Sequence, residues 1–175
     1  MIYTHYVIEL DLKKRLIKII YFIQNADEND ISSLAQIEAE CIANPWSENS
    51  FREEMANENS IIIKAVNENG AICGFVSAVT MLDEVSIYNV AVKTSYRRNG
   101  IAKNLLLHLE DITKTSANFY MLEVRESNLP AIKLYHSLGY QNVGLRKNYY
   151  QSPCENAILM TKSLERTINN EDTCN

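Results

Sequence analysis

The sequence predicts an α/β domain whose central sheet mixes strands of both orientations, and three stretches carry that reading. Residues 61–66 and 71–79 are apolar, β-rich runs separated by Asn67-Glu68-Asn69-Gly70, the pattern of an antiparallel hairpin. Residues 85–92 form another β-branched run, which feeds a basic, glycine-containing turn. Beyond the turn, Ile101, Leu105, Leu109 and Ile112 recur at helical spacing. From there strand and helix alternate through Tyr140, as in parallel crossover units.

Taken in order, residues 1–20 mix apolar and basic side chains and stand as an N-terminal extension. They read as an extra strand or helix against the core, as a leader outside the domain, or as a short amphipathic helix touching a membrane. No apolar run there reaches the length of a signal core or a membrane span. Residues 21–23 read as a short first strand. Asp27 to Asp30 then offer acidic caps for a helix through about Ala43, with Ile31, Leu34, Ala35, Cys41 and Ile42 inward. Asn44-Pro45 breaks it, and Ser47 can cap a second helix that buries Phe51 and Met55. In the hairpin turn, Asn69-Gly70 supplies positive φ. Residues 121–124 are a strand, and Asn128 before Leu129-Pro130 caps the helix that follows. Gly139 ends that helix. Residues 140–146 and 155–162 are the last strands. The chain thus divides into the 1–20 extension, one domain over 21–164, and a polar, frayed tail over 165–175.

Composition narrows the function. A length of 175 residues suffices for one buried core. The net charge of −5 argues against a nucleic-acid-binding surface, which needs clustered Lys and Arg. Four scattered cysteines without a C-x-x-C pair, and three histidines, offer no metal site. Reduced thiols in a cytoplasmic protein are the expectation. His108 and His136 fall on helices, in structural or exposed places.

The chemistry centres on Arg97-Arg98-Asn99-Gly100-Ile101-Ala102. A strand that enters such a turn and leaves as a helix is a device for holding phosphate. The first helical N–H groups have no partner within the helix and carry the positive end of its dipole. Gly100 lets the backbone approach an anion, and Ala102 keeps the approach open. Arg97, Arg98 and Lys103 add charge. No G-K-[ST] follows, and the three glycines of the dinucleotide fingerprint are missing. A solvated strand–turn–helix would look the same in isolation.

Five segments in order decide between these readings: N-V-A-V, R-R-N-G-I-A, L-E-V-R-E-S-N, A-I-K-L-Y-H-S-L-G-Y and R-K-N-Y-Y. Together they resemble the GNAT acetyltransferases, and more narrowly the bacterial RimI-type enzymes, which acetylate the N-terminal alanine of a small-subunit ribosomal protein. The resemblance runs from about Phe22 to Leu164 and does not reach the extension. It implies a central mixed sheet flanked by helices on both faces. It implies acetyl-CoA as co-substrate, no metal, and an acceptor protein N-terminus as partner. Acetyl-CoA would be held by the backbone of Val90, Ala91 and Val92, by Arg97, Arg98, Asn99, Gly100, Ile101 and Ala102, and by the Asn128 side chain. Two alternatives stand beside it: a GNAT enzyme acting on lysine or a small amine, and a non-catalytic acyl-CoA-binding module. The motif's last residue is Ala102, where glycine is commoner in the family.

Transfer from a thioester to an amine needs a neutral amine, a positioned carbonyl and a neutralised leaving thiolate. A protein N-terminus titrates near 8, so a modest base suffices, directly or through one water. Glu123 interrupts an apolar strand, on the face opposite Leu122 and Val124. By itself it could face solvent or pair with an arginine; the resemblance matches it to the family's proton acceptor. Tyr135 lies about two helical turns beyond Asn128. It is a core tyrosine or, as the resemblance implies, the proton donor to the thiolate. Trp46 has two readings, a core anchor and, through Pro45-Trp46-Ser47, a border of the acceptor groove. Tyr149 and Tyr150 line that groove or pack.

Overall fold

The computed structural model describes residues 4–12 and 15–164, with residues 4–12 and 15–19 described by their backbone alone. Eight strands form one sheet: β1 (Thr4–Leu12), β2 (Arg15–Asn25), β3 (Ser60–Asn67), β4 (Ile72–Met81), β5 (Glu84–Val92), β6 (Phe119–Arg125), β7 (Gln141–Gln151) and β8 (Cys154–Ser163). Their spatial order is β1-β2-β3-β4-β5-β6-β8-β7. Four helices accompany them: α1 (Ile31–Cys41), α2 (Glu48–Met55), α3 (Ile101–Thr113) and α4 (Leu129–Ser137).

Alternation along each strand sends neighbouring residues to opposite faces, and the two faces make two cores. Ile63, Val76, Val85 and Leu122 pack with Leu105, Leu106 and Leu109 of α3 and Tyr135 of α4. Ile62, Phe75 and Ala91 pack with Ile31, Leu34 and Ile37 of α1 and Phe51 of α2. Helices therefore cover both faces of the mixed sheet, as expected. Asp27 caps the turn before α1 with a reciprocal bond to Asp30, and Ser47 Oγ accepts the Ser50 N–H at 3.1 Å to cap α2.

The structure differs from the sequence reading in several places. β2 begins at Arg15, so the expected boundary at residue 20 falls inside a strand that pairs with β1. The 165–175 tail lies outside the described residues. α1 ends at Cys41, two residues early, because Ile42 is already extended (φ −125°, ψ 134°). Ile37 and Glu38 are buried on α1, whereas Ala35, Cys41 and Ile42 are only partly covered. In the β3–β4 turn Gly70 alone takes positive φ (81°), and Asn67 closes the turn with backbone bonds to Gly70 and Ala71. Among the described strands only β5 and β6 pair in parallel. The crossover through α4 does join two strands of like direction, but β8 inserts antiparallel between β6 and β7.

Candidate active site

The site opens because β5 and β6 separate. Their parallel pairing covers only Glu84–Ile87 against Phe119–Leu122. At that point β5 is bulged: Ser77 faces Asn89 but Ala78 faces Ile87, which leaves Tyr88 as the extra residue. A bulge bends its strand, and beyond it the two strands diverge around a cleft of about 810 Å³. Val90 and Glu123 line it from the two strands, with Trp46, Asn128, Tyr135, Tyr149 and Tyr150 around them.

The Ala91 carbonyl is turned toward β4, since a Cβ at Gly74 would stand 2.6 Å from it. By alternation Val90 and Val92 present their backbone groups to the cleft. The Val92 carbonyl is already taken by Arg97 Nε at 3.0 Å and by Cys41 Sγ at 3.3 Å. Val90 is therefore the residue of the three whose peptide groups best suit an extended ligand laid along β5 as an added strand.

Past Val92 a single 3-10 turn (Thr94–Tyr96) leads into the basic loop. Arg98 and Gly100 both adopt left-handed φ (66° and 67°), and Gly100 is the residue from which α3 starts. A tight left-handed loop before a helix gathers N–H groups into an anion nest. Arg97, Arg98, Lys103 and Lys133 surround a pocket there, roofed by Leu129, Pro130 and Leu134 of α4. Lys133 was not foreseen as a binding residue, although it stands in the A-I-K-L-Y segment; only folding shows that α4 brings it beside the loop. Two expected contacts change character. Asn99 is buried and its Nδ2 donates to the carbonyls of Tyr96 and Arg97 at 3.0 and 3.2 Å, so its side chain ties the loop together. Ile101 points into the core at 1 % exposure, which leaves its peptide N–H as its contribution. Ala102 and Gly100 both line the pocket, as expected.

Asn128 Oδ1 accepts the Ala131 N–H at 3.3 Å and caps α4. Its amide nitrogen is the end that a ligand in the cleft can engage. Two turns along α4, Tyr135 packs its ring 5.8 Å from Tyr140 and is 7 % exposed. Burial pushes its phenol far above the ordinary range, with Tyr150 adding to the effect, so the hydroxyl keeps its proton and can donate it.

Glu123 stands on the acceptor side. Its Oε1 lies 3.2 Å from Arg146 Nε. The nearby Glu123 carboxylate, with some desolvation, pushes the Tyr149 phenol up. Arg146 and Tyr149 both come from an irregular stretch of β7, where the register jumps between Arg146 and Tyr150. Asn148 takes positive φ (50°), a conformation asparagine tolerates, and its N–H is held by Asn156 Oδ1 at 3.0 Å. Tyr150 carries the Arg125 guanidinium 4.0 Å above its ring. Arg125 also bonds the carbonyls of Ser152 and Pro153 and pairs with Glu155 at 3.3 Å, fixing the β7–β8 turn.

Trp46 combines its two readings. One side meets Phe51 edge-on at 5.4 Å in the core under α1 and α2. The other meets Tyr88 at 6.1 Å and faces the cleft. Tyr88, half exposed at the strand bulge, is a cleft residue that sequence reading missed, since nothing in a β-branched run marks a bulge. Among the described residues no three His, Cys, Asp or Glu side chains gather as a metal site. Among the same residues no helix is long and apolar enough to cross a membrane.

An anion nest, a strand edge, a protonated phenol and a carboxylate thus line two pockets whose walls adjoin in the chain at Asn128–Leu129 and Leu134–Tyr135. Comparison with known proteins points the same way. Residues 31–140 match the acetyltransferase (GNAT) family. The chain is 34 % identical to the ribosomal protein bS18-alanine N-acetyltransferase of Escherichia coli strain K12, over 79 % of this chain and 94 % of that one. It superposes on the crystal structure of the ribosomal-protein-S18-alanine N-acetyltransferase from Escherichia coli with a TM-score of 0.79, covering 86 % of this chain and 97 % of that one at 33 % identity. It also shares its fold with the PaiA N-acetyltransferase of Thermoplasma acidophilum, solved in complex with coenzyme A (TM-score 0.69, 17 % identity, 82 % of this chain and 99 % of that one).

Proposed function

The chain belongs to the acetyltransferase (GNAT) family and is an N-acetyltransferase, and on that premise we propose that it uses acetyl-CoA to acetylate the N-terminal α-amine of a protein, as its relatives' names describe for the alanine of ribosomal protein bS18. The observation that carries this reading is that Glu123 and Tyr135 line one cleft whose Asn128 and Tyr135 directly adjoin, in the chain, Leu129 and Leu134 of the pocket at Gly100. A module that only bound acyl-CoA would need neither side chain.

Acetyl-CoA supplies an activated thioester. The N–H groups at Gly100–Ala102, with Arg98, Lys103 and Lys133, suit its pyrophosphate, and Val90 suits its amide-bearing arm. Glu123 accepts the proton of the incoming amine, directly or through one water, once the acceptor has displaced or come to share its Arg146 partner. Tyr135 gives its proton to the departing thiolate. No covalent enzyme intermediate is required, because both reactants meet in the one cleft. Trp46, Tyr149 and Tyr150 border the acceptor.

Calorimetric titration with acetyl-CoA, followed by mass spectrometry of peptides that begin with alanine, of internal-lysine peptides and of small amines, tests this. Acetylation confined to the α-amine of the alanine peptide supports the proposal. Preference for lysine or a small amine overturns the acceptor. Binding without turnover on any amine overturns catalysis.

A further inference from the structure

Among the described residues, three charged side chains line the acceptor cleft: Glu123, Arg125 and Arg146. Arg125 is fully committed. It donates to the carbonyls of Ser152 and Pro153 at 3.2 Å each, pairs with Glu155 at 3.3 Å and stacks on the Tyr150 ring. Arg146 is not tied down in this way. Among the described residues it makes one ion pair, Nε to Glu123 Oε1 at 3.2 Å, and its side chain is 54 % exposed.

The register of the sheet brings this pair together. On β8, the strand between them, Glu123 stands opposite Leu159 and Arg146 opposite Ala157. Positions two apart point to one face, so both side chains rise on the same side of the sheet. Their strands are about 9–10 Å apart, twice the interstrand spacing, and only a long side chain on β7 can reach the carboxylate. An ion pair this open contributes little to stability. What it offers is a hydrogen-bond acceptor and a charged donor, side by side in the cleft.

On the reading that the acceptor is a polypeptide α-amine, we propose that the Glu123–Arg146 pair recognises an amine with a carbonyl on the adjacent carbon, which makes Arg146 a specificity-determining residue. In an α-aminoacyl unit, bond geometry alone holds the amine nitrogen and the carbonyl oxygen about 2.7–3.6 Å apart. That spacing matches the 3.2 Å ion pair. The amine donates to the Glu123 carboxylate while the carbonyl oxygen accepts from the guanidinium, a fork of five N–H donors. The acceptor thus shares the arginine instead of expelling it. A lysine ε-amine ends a flexible four-carbon stem, and bringing a carbonyl beside it costs the freedom of that stem. A simple small amine has no carbonyl to offer.

Two isomeric peptides test this, one beginning with alanine and one with β-alanine, which moves the amine one carbon further from the carbonyl. The wild-type chain should show a kcat/KM about tenfold higher for the alanine peptide. Arg146→Gln should lower the alanine value by about tenfold and leave the β-alanine value near wild type, so that the preference disappears. Arg146→Lys keeps a cationic donor and should restore part of it. The acetyl-CoA affinity of both variants, measured by calorimetry, should match wild type and shows that the fold is kept. Equal kcat/KM for the two isomers in the wild-type chain overturns the proposal. An equal loss on both in Arg146→Gln also overturns it, because a merely structural arginine would act on both alike. If the wild-type chain acetylates neither peptide, the proposed acceptor falls and this specificity with it.

Discussion

Glu123 does not wait in open solvent for an amine. It is paired with the Arg146 guanidinium at 3.2 Å, so the acceptor has to displace or share that partner. Replacing Glu123 by Gln keeps the shape and removes the base. The kcat should fall by about 10²–10⁴, and the loss should shrink as pH rises, because the free amine then forms without help. Tyr135→Phe removes only a buried hydroxyl and should leave acetyl-CoA affinity intact. Its rate defect should persist at high pH, since the leaving thiolate still lacks a donor. Near-full rates across pH in both variants, with acetyl-CoA still bound, would leave positioning alone as the catalytic principle. Glu38 makes a separate prediction about stability. Burial pushes its carboxyl up to about 7 from the ordinary 4.5, so its contribution is fully present below about 4.5 and is lost as pH rises through about 7. The cost above neutrality is about 3 kcal/mol. The melting temperature of Glu38→Gln relative to wild type should therefore be higher at pH 8 than at pH 5. An equal difference at both pH values would contradict the burial argument.

At the scale of the element, the turn into α3 separates backbone from side-chain binding. Gly100 sits at φ 67°, a conformation proline cannot adopt, and its N–H belongs to the nest. Gly100→Pro should abolish acetyl-CoA binding in calorimetry. Arg98→Ala removes one exposed, screened charge and leaves the left-handed φ of 66° as it was, since alanine keeps the Cβ, so binding should weaken modestly. Equal losses would show that the arginine, and not the peptide cradle, holds the anion. On the acceptor side, the bulged part of β7 serves a comparable purpose. Asn148 in the left-handed region, held by Asn156, brings Arg146 onto Glu123 with Tyr149 nearby.

Across the whole molecule the site depends on a fault in the sheet. Strands β5 and β6 pair for four residues and then part, and every candidate group stands on or opposite the parted ends. The β1–β2 hairpin lies at the far edge of the sheet, three strands from β5. Removing residues 1–14 strips the partner from β2 and exposes an edge prone to pairing with other chains. It should lower the melting temperature and leave acetyl-CoA affinity unchanged, because β1 stands four places from β5 in the sheet and distant sites act independently. A matching loss of affinity would mean that the hairpin belongs to the catalytic unit.

Much of this was legible in local pattern. The Asn67–Gly70 turn, the Ser47 and Asn128 caps and the Ile101, Leu105 and Leu109 stripe of α3, though not its Ile112, which is exposed, are written in residues within a few positions of one another, and short-range sterics and hydrogen bonding suffice to read them. The order of the motifs from N-V-A-V to R-K-N-Y-Y identified the family for the same reason, since each is a contiguous string. What needed the tertiary structure were pairings between segments distant in sequence. Arg146 on Glu123, Arg125 on Tyr150 and Lys133 beside Gly100 arise only when the sheet brings those segments together. The Tyr88 bulge belongs with them, because a bulge is a mismatch between two strands and neither strand alone records it.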